Sequence, residues 1–195
     1  MRRLKSAWEW LLPDTDEVLV RGRAGLVIAT CLGLAAAVLA LILTWLVSGD
    51  LEFVTAVGNL VFGSVLAGIA ALARSGRVGL ATWLLVVLLL ALVSVDAAAF
   101  GLGSPACAGY FVPIVLAACG IGLLAGIGVA LLASVVVWVI AWGASAEWYE
   151  LLISFETSHL TFNAPFYTVL FLLVALMVGF WVRYTSGVLQ RDTND

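Results

Sequence analysis

From Tyr110 to Trp142 the chain runs thirty-three residues without a charged side chain. As one helix this run would be about 50 Å long, against a bilayer hydrocarbon core of about 30 Å. A tilt of about 20° does not absorb that excess. At its middle lies CGIGLLAGIGVALL, Cys119 to Leu132, with four glycines. The run therefore reads as two short spans, Ala106–Leu124 and Ile127–Ser145, with Gly126 part of a turn near Ala125. A competing pattern exists: Ala118, Gly122, Gly126, Ala130 and Ser134 are small and spaced by four. On an unbroken helix they would form one close-packing face. Length and charge outweigh it.

The rest of the chain has the same character. Apolar residues make up 64% and charged residues 11%, where soluble domains carry about 45–50% and about 25%. So few charges cannot cover a water-facing surface. Further apolar runs occupy Ala24–Val47, Phe53–Ala73, Val78–Phe100 and Pro165–Tyr184. The fold class is all-α, a polytopic membrane bundle of six helices. The first twenty residues are not a secretory signal, because Glu9, Asp14, Asp16 and Glu17 interrupt any apolar core. Trp8, Trp10, Leu11 and Leu12 suit the headgroup layer, and Pro13 breaks the segment before Asp14 and Glu17 cap a new helix. The chain divides into an amphipathic cytoplasmic segment (1–20), a six-span membrane domain (21–185) and a short cytoplasmic tail (186–195).

Charge placement orients the bundle. The basic residues are Arg2, Arg3, Lys5, Arg21, Arg23, Arg74, Arg77, Arg183 and Arg191. Six spans with both termini inside put all of them on the cytoplasmic side, as the positive-inside rule requires. Five spans would send Arg183 and Arg191 outside. The outer loops then hold Asp50, Glu52, Glu147, Glu150 and Glu156, with Asp96 close by. An inner bacterial membrane is the expected location.

Chemistry-bearing motifs are sparse. The single histidine, His159, has no second histidine or HExxH to make a metal site. No phosphate-binding GxxxxGK[ST] loop and no G-x-S-x-G elbow occurs. Cys31, Cys107 and Cys119 show no paired spacing and read as small apolar residues. No enzyme, metal, cofactor or nucleic-acid partner is expected. Asp96, near the outer end of the third span, is a candidate for a ligand or proton role, because ionisable groups inside spans are costly and tend to be functional. The outer loop from Ala146 to Pro165 has the best mix of groups for a ligand pocket, with Trp148, Tyr149, Glu150 and His159 as candidate lining. Asn59, Gly63, Gly68, Gly122 and Gly126 are candidate helix-packing positions.

The layout resembles a known module. The basic start, the ARSGR turn after the second span, the YFVPIVLAACGIGLLAGIGVALLASVVVWVI hairpin and the closing FLLVALMVGFWVRYTSGVLQ are similar to the six-span N-terminal sensor region of bacterial membrane histidine kinases. That resemblance implies a non-enzymatic signal-input module that passes its state from the last helix to an output domain. Here no phosphoacceptor histidine or ATP site follows, so the chain would be a sensor module without an output, or would pass its state to another chain. Two alternatives stand beside it. One is an accessory subunit of a larger membrane complex, held by the small-residue faces of spans 1 and 2. The other is a substrate-binding transport component, similar in size to the vitamin-binding subunits of energy-coupling-factor transporters, with Ala36-x-x-x-Ala40 in the first span. Expected partners are the lipid bilayer and a protein in the membrane or at the cytoplasmic tail. Self-association is also compatible with the sequence.

Overall fold

The computed structural model of the chain describes residues 11–13, 18–48, 53–102, 105–146, 164, 167–180 and 182. Among them every regular element is helical, and no strand occurs. The helices are α1 (Val18–Ser48), α2 (Phe53–Arg74), α3 (Val78–Phe100), a 3-10 segment (Pro105–Tyr110), α4 (Phe111–Gly120), α5 (Leu123–Ser145) and α6 (Tyr167–Phe180). Four of them contain stretches long and apolar enough to cross a membrane: Leu19–Ser48, Ala56–Arg74, Val78–Phe100 and Leu123–Ala144. Cys107–Gly120 and Tyr167–Phe180 are shorter apolar helices. The chain forms two compact units, Met1–Leu85 and Val86–Asp195.

In the first unit α1 and α2 pack on one another. The first half of α1 buries Ala24, Val27, Ile28 and Cys31, the i, i+3, i+4, i+7 stripe of a helix with one covered face. Beyond Cys31 no residue of α1 is buried. The ARSGR turn ends α2 as a Schellman cap. The Gly76 N–H donates to Ala73 O and the Arg77 N–H to Leu72 O, both at 3.2 Å, with Gly76 at φ +85°.

In the second unit the long uncharged run divides, but not where the sequence placed the break. The turn is Ile121–Gly122, and Gly126 lies inside α5, one helical turn past it. Gly122 holds φ +145°, ψ 173°, a region open essentially only to glycine. Its N–H and that of Ile121 both donate to Ala117 O at 3.0 Å, which closes α4. The reason for the shift is local. Ala125 and Gly126 have no conformational need to leave the helix, whereas position 122 demands a residue without Cβ. Gly126 has a different use. A Cβ there would lie 2.7 Å from the Ala118 Cβ and 3.1 Å from its Cα. On one continuous helix these positions would be about 12 Å apart along the axis, so α4 and α5 fold back into a close-packed hairpin. Pro113 sits in the first turn of α4, where a missing N–H costs no helical hydrogen bond.

The surface suits lipid. Large apolar side chains stand exposed along the helices, among them Leu46, Val47, Leu60, Val95 and Trp142. Many of the fully covered positions are alanines: Ala24, Ala73, Ala81, Ala117, Ala130 and Ala133. Hydroxyls inside the helices return to their own backbone. Thr30, Thr44, Ser64, Thr82, Ser94 and Ser134 each donate to the carbonyl four residues earlier, at 2.6–2.9 Å. That is how a hydroxyl is satisfied where no water is at hand.

Candidate functional site

Polar and aromatic groups gather at one place in the second unit, where the end of α3, the 3-10 segment and the start of α6 meet around Phe171. Phe171 has no exposed surface. Tyr110 packs on it with ring centroids 5.5 Å apart, Phe111 edge-on at 5.6 Å, and Tyr167 at 5.8 Å. These are separations at which aromatic pairs attract beyond simple burial. Tyr167 and Phe171 are four residues apart in α6 and so share a face. Two hydroxyls tie the cluster to neighbouring segments. Tyr110, fully covered, donates to Ser94 Oγ at 3.1 Å, and Ser94 donates onward to Leu90 O at 2.6 Å. Tyr167 donates to Leu102 O at 3.3 Å.

Asp96, the sequence candidate on α3, is part-buried four residues before the helix ends at Phe100. It stands near Cys107, whose thiol is within hydrogen-bonding reach of Tyr167. Trp148, Tyr149, Glu150 and His159 lie outside the described residues, as does the loop pocket they were expected to line. Of the packing candidates, Gly122 forms the hairpin turn and Gly126 its close contact. Asn59 is part-buried on α2. Gly63 and Gly68 have nothing within 4 Å of where a Cβ would stand.

Sequence reading missed Ser94, Cys107, Tyr110, Tyr167 and Phe171 as a group. The available signal was tyrosine itself. The chain has four, and two of them meet here. A phenol inside an apolar run needs an acceptor, which marks Tyr110 and Tyr167 without naming Ser94 or Leu102 as their partners. Among the described residues no three His, Cys, Asp or Glu side chains cluster as metal ligands, and no buried side-chain nitrogen or oxygen lacks a hydrogen-bond partner. The arrangement is closed and satisfied. It joins segments mechanically.

A second feature lies on α5. Val135, Trp138, Val139 and Trp142, spaced i, i+3, i+4, i+7, line an open depression of about 300 Å³. The Trp138 indole N–H donates to Thr168 Oγ1 at 3.2 Å, which holds that ring against α6, and Thr168 in turn donates to Ala164 O at 3.0 Å.

Long apolar helices, lipid-suited surfaces and back-bonded hydroxyls together define an integral membrane helix bundle. No protein-family model, curated protein or solved structure matches the chain.

Proposed function

We propose that this chain is a non-enzymatic signal-input module of the bacterial inner membrane, with six spans and both ends cytoplasmic. In this reading the 3-10 segment with α4 serves as the fourth span and α6 as the core of the sixth. All nine basic residues then face the cytoplasm. The observation that carries the sensor reading is the Phe171 cluster. It fastens the first turns of the last helix to the loop end of α3 and to the segment entering α4. A ligand that favours one arrangement of this junction would shift α6, and α6 leads to Arg183 and the 186–195 tail. The tail would hand that shift to a signalling partner. The test is purification of the natively expressed protein in mild detergent and identification of its companions. A kinase, cyclase or response protein is the expected companion. Respiratory, photosynthetic or transport subunits in its place would overturn the reading.

The depression on α5 favours a second reading, an accessory subunit of a larger membrane complex. Its lining is entirely apolar and Trp138 is held in place, as a wall for a packed transmembrane neighbour would be. Recovery of a stable larger assembly in the same purification supports this reading. A chain that stays alone and monomeric at native expression removes it.

A further inference from the structure

The last helix touches the segment that links α3 to α4 at both of its ends. The Tyr167 hydroxyl donates to Leu102 O, before the 3-10 strap Pro105–Tyr110, at 3.3 Å. One turn further along the same face, Phe171 packs on Tyr110, the last residue of the strap, at 5.5 Å. Between these two points the strap lies flush on α3. A Cβ on Gly109 would come within 2.9 Å of Val93 Cγ2, and the Tyr110 hydroxyl reaches Ser94 at 3.1 Å. Cys107, in the middle of the strap, has no exposed surface, and neither has Leu102.

We propose that the strap and α6 form a latch: the strap stays seated on α3, with its own Cys107 covered, while α6 keeps its register, and an axial displacement of α6 by one residue releases it. A one-residue step is about 1.5 Å. From 3.3 Å, such a step across the bond or away from Leu102 takes the Tyr167 oxygen to about 3.6 Å or more, out of hydrogen-bonding range of Leu102 O. Leu102 has no exposed surface, so its carbonyl, once released, would be left buried without a donor, and the junction rearranges instead of stretching. Packed interfaces of this kind switch between discrete arrangements. The latch deepens the signal-input reading and rests on it for its biological purpose. Its mechanics rest on the contacts alone.

The experiment uses Cys107 as reporter. The full chain carrying Cys31→Ala and Cys119→Ala is kept in its membrane, and the rate of Cys107 alkylation by N-ethylmaleimide is followed. The parent is expected to react slowly, because Cys107 has no exposed surface. Tyr167→Phe removes the donor to Leu102 O, and the reaction is expected to be about three- to tenfold faster. Because Tyr167 also lies within reach of the Cys107 thiol itself, Ser94→Ala, which frees the strap at Tyr110, is measured beside it and must accelerate Cys107 too. In a companion protein with Cys119 as the only thiol, the same substitution leaves the rate unchanged, because only the strap opens. Unchanged Cys107 reactivity overturns the latch. So does an equal acceleration at Cys119, which would mean general loosening. Should Tyr167→Phe fail to accumulate in the membrane, Ser94→Ala releases the other end of the strap and must accelerate Cys107 in the same selective way. A chain with no signalling companion but selective acceleration keeps the latch and loses the input reading. A signalling companion with unchanged Cys107 does the reverse.

Discussion

A Cβ on Gly126 would lie 2.7 Å from the Cβ of Ala118, on the opposite arm of the α4–α5 hairpin. The neighbouring atoms include Ala118 Cα and N at 3.1 and 3.3 Å, so backbone and not a movable side-chain tip fills the space. Gly126→Ala must therefore separate the helices. Overpacking of this kind costs about 1–3 kcal/mol. The expected result is a lower midpoint of thermal unfolding in detergent, recovered in part when Ala118→Gly is added. No change in the midpoint would show that the arms are not in contact.

Gly122 tests the turn itself. At φ +145° and ψ 173° any side chain is strained, at a cost of about 1–3 kcal/mol. Gly122→Ala is expected to destabilise the protein by this amount without adding a steric contact, since nothing lies within 4 Å of the new Cβ. A neutral result would place the break in the helix elsewhere.

Phe171 is the hub of three ring contacts and is fully covered. Phe171→Ala in a soluble core costs about 3–5 kcal/mol. In a membrane the unfolded side chain remains in lipid, so the loss is mainly of packing and falls below that range. Phe171→Leu keeps much of the volume and is expected to cost less than Phe171→Ala. Denaturation in mixed detergent micelles measures both. Equal effects of the two substitutions would mean that the aromatic ring itself, and not side-chain volume, carries the stabilisation at this site.

The topology has a direct test. Asp50→Cys and Ser75→Cys, each in a chain with the three native cysteines replaced, are probed with an impermeant maleimide. The six-span arrangement requires labelling of position 50 from outside and of position 75 only after the membrane is opened. Thr193→Cys is expected to behave like position 75. Labelling of positions 75 and 193 from opposite sides would remove the six-span arrangement.

The Trp138–Thr168 hydrogen bond, 3.2 Å between α5 and α6, is expected to contribute about 0.6 kcal/mol, the average for such bonds in membrane bundles. Trp138→Phe and Thr168→Val are measured singly and together. The pair is expected to lose less than the sum of the two. Strict additivity would mean that the bond is absent in the membrane.

Several features were legible in the residues themselves. The helical class follows from apolar runs with almost no charge, because an unbroken apolar stretch in lipid must satisfy its backbone within itself. The division of the Tyr110–Trp142 run follows from length alone. The α2–α3 turn follows from Gly76 between two arginines, since a glycine just past a helix end takes the left-handed cap. These are local or one-dimensional constraints, and composition and spacing report them directly.

Other features required the folded chain. The break fell at Gly122 and not at Gly126 because the two glycines answer different demands. One needs a left-handed backbone, the other room for a neighbouring helix, and a sequence dense in glycine does not distinguish them. The same small-residue spacing that could have lined one long helix instead brings Ala118 and Gly126 face to face across a hairpin. The Phe171 cluster joins Ser94, Leu102, Tyr110 and Tyr167 from segments up to 77 residues apart in numbering, Ser94 to Phe171. A tyrosine in an apolar run announces that it needs an acceptor. Which acceptor it finds depends on which helix ends meet, and that is decided by packing.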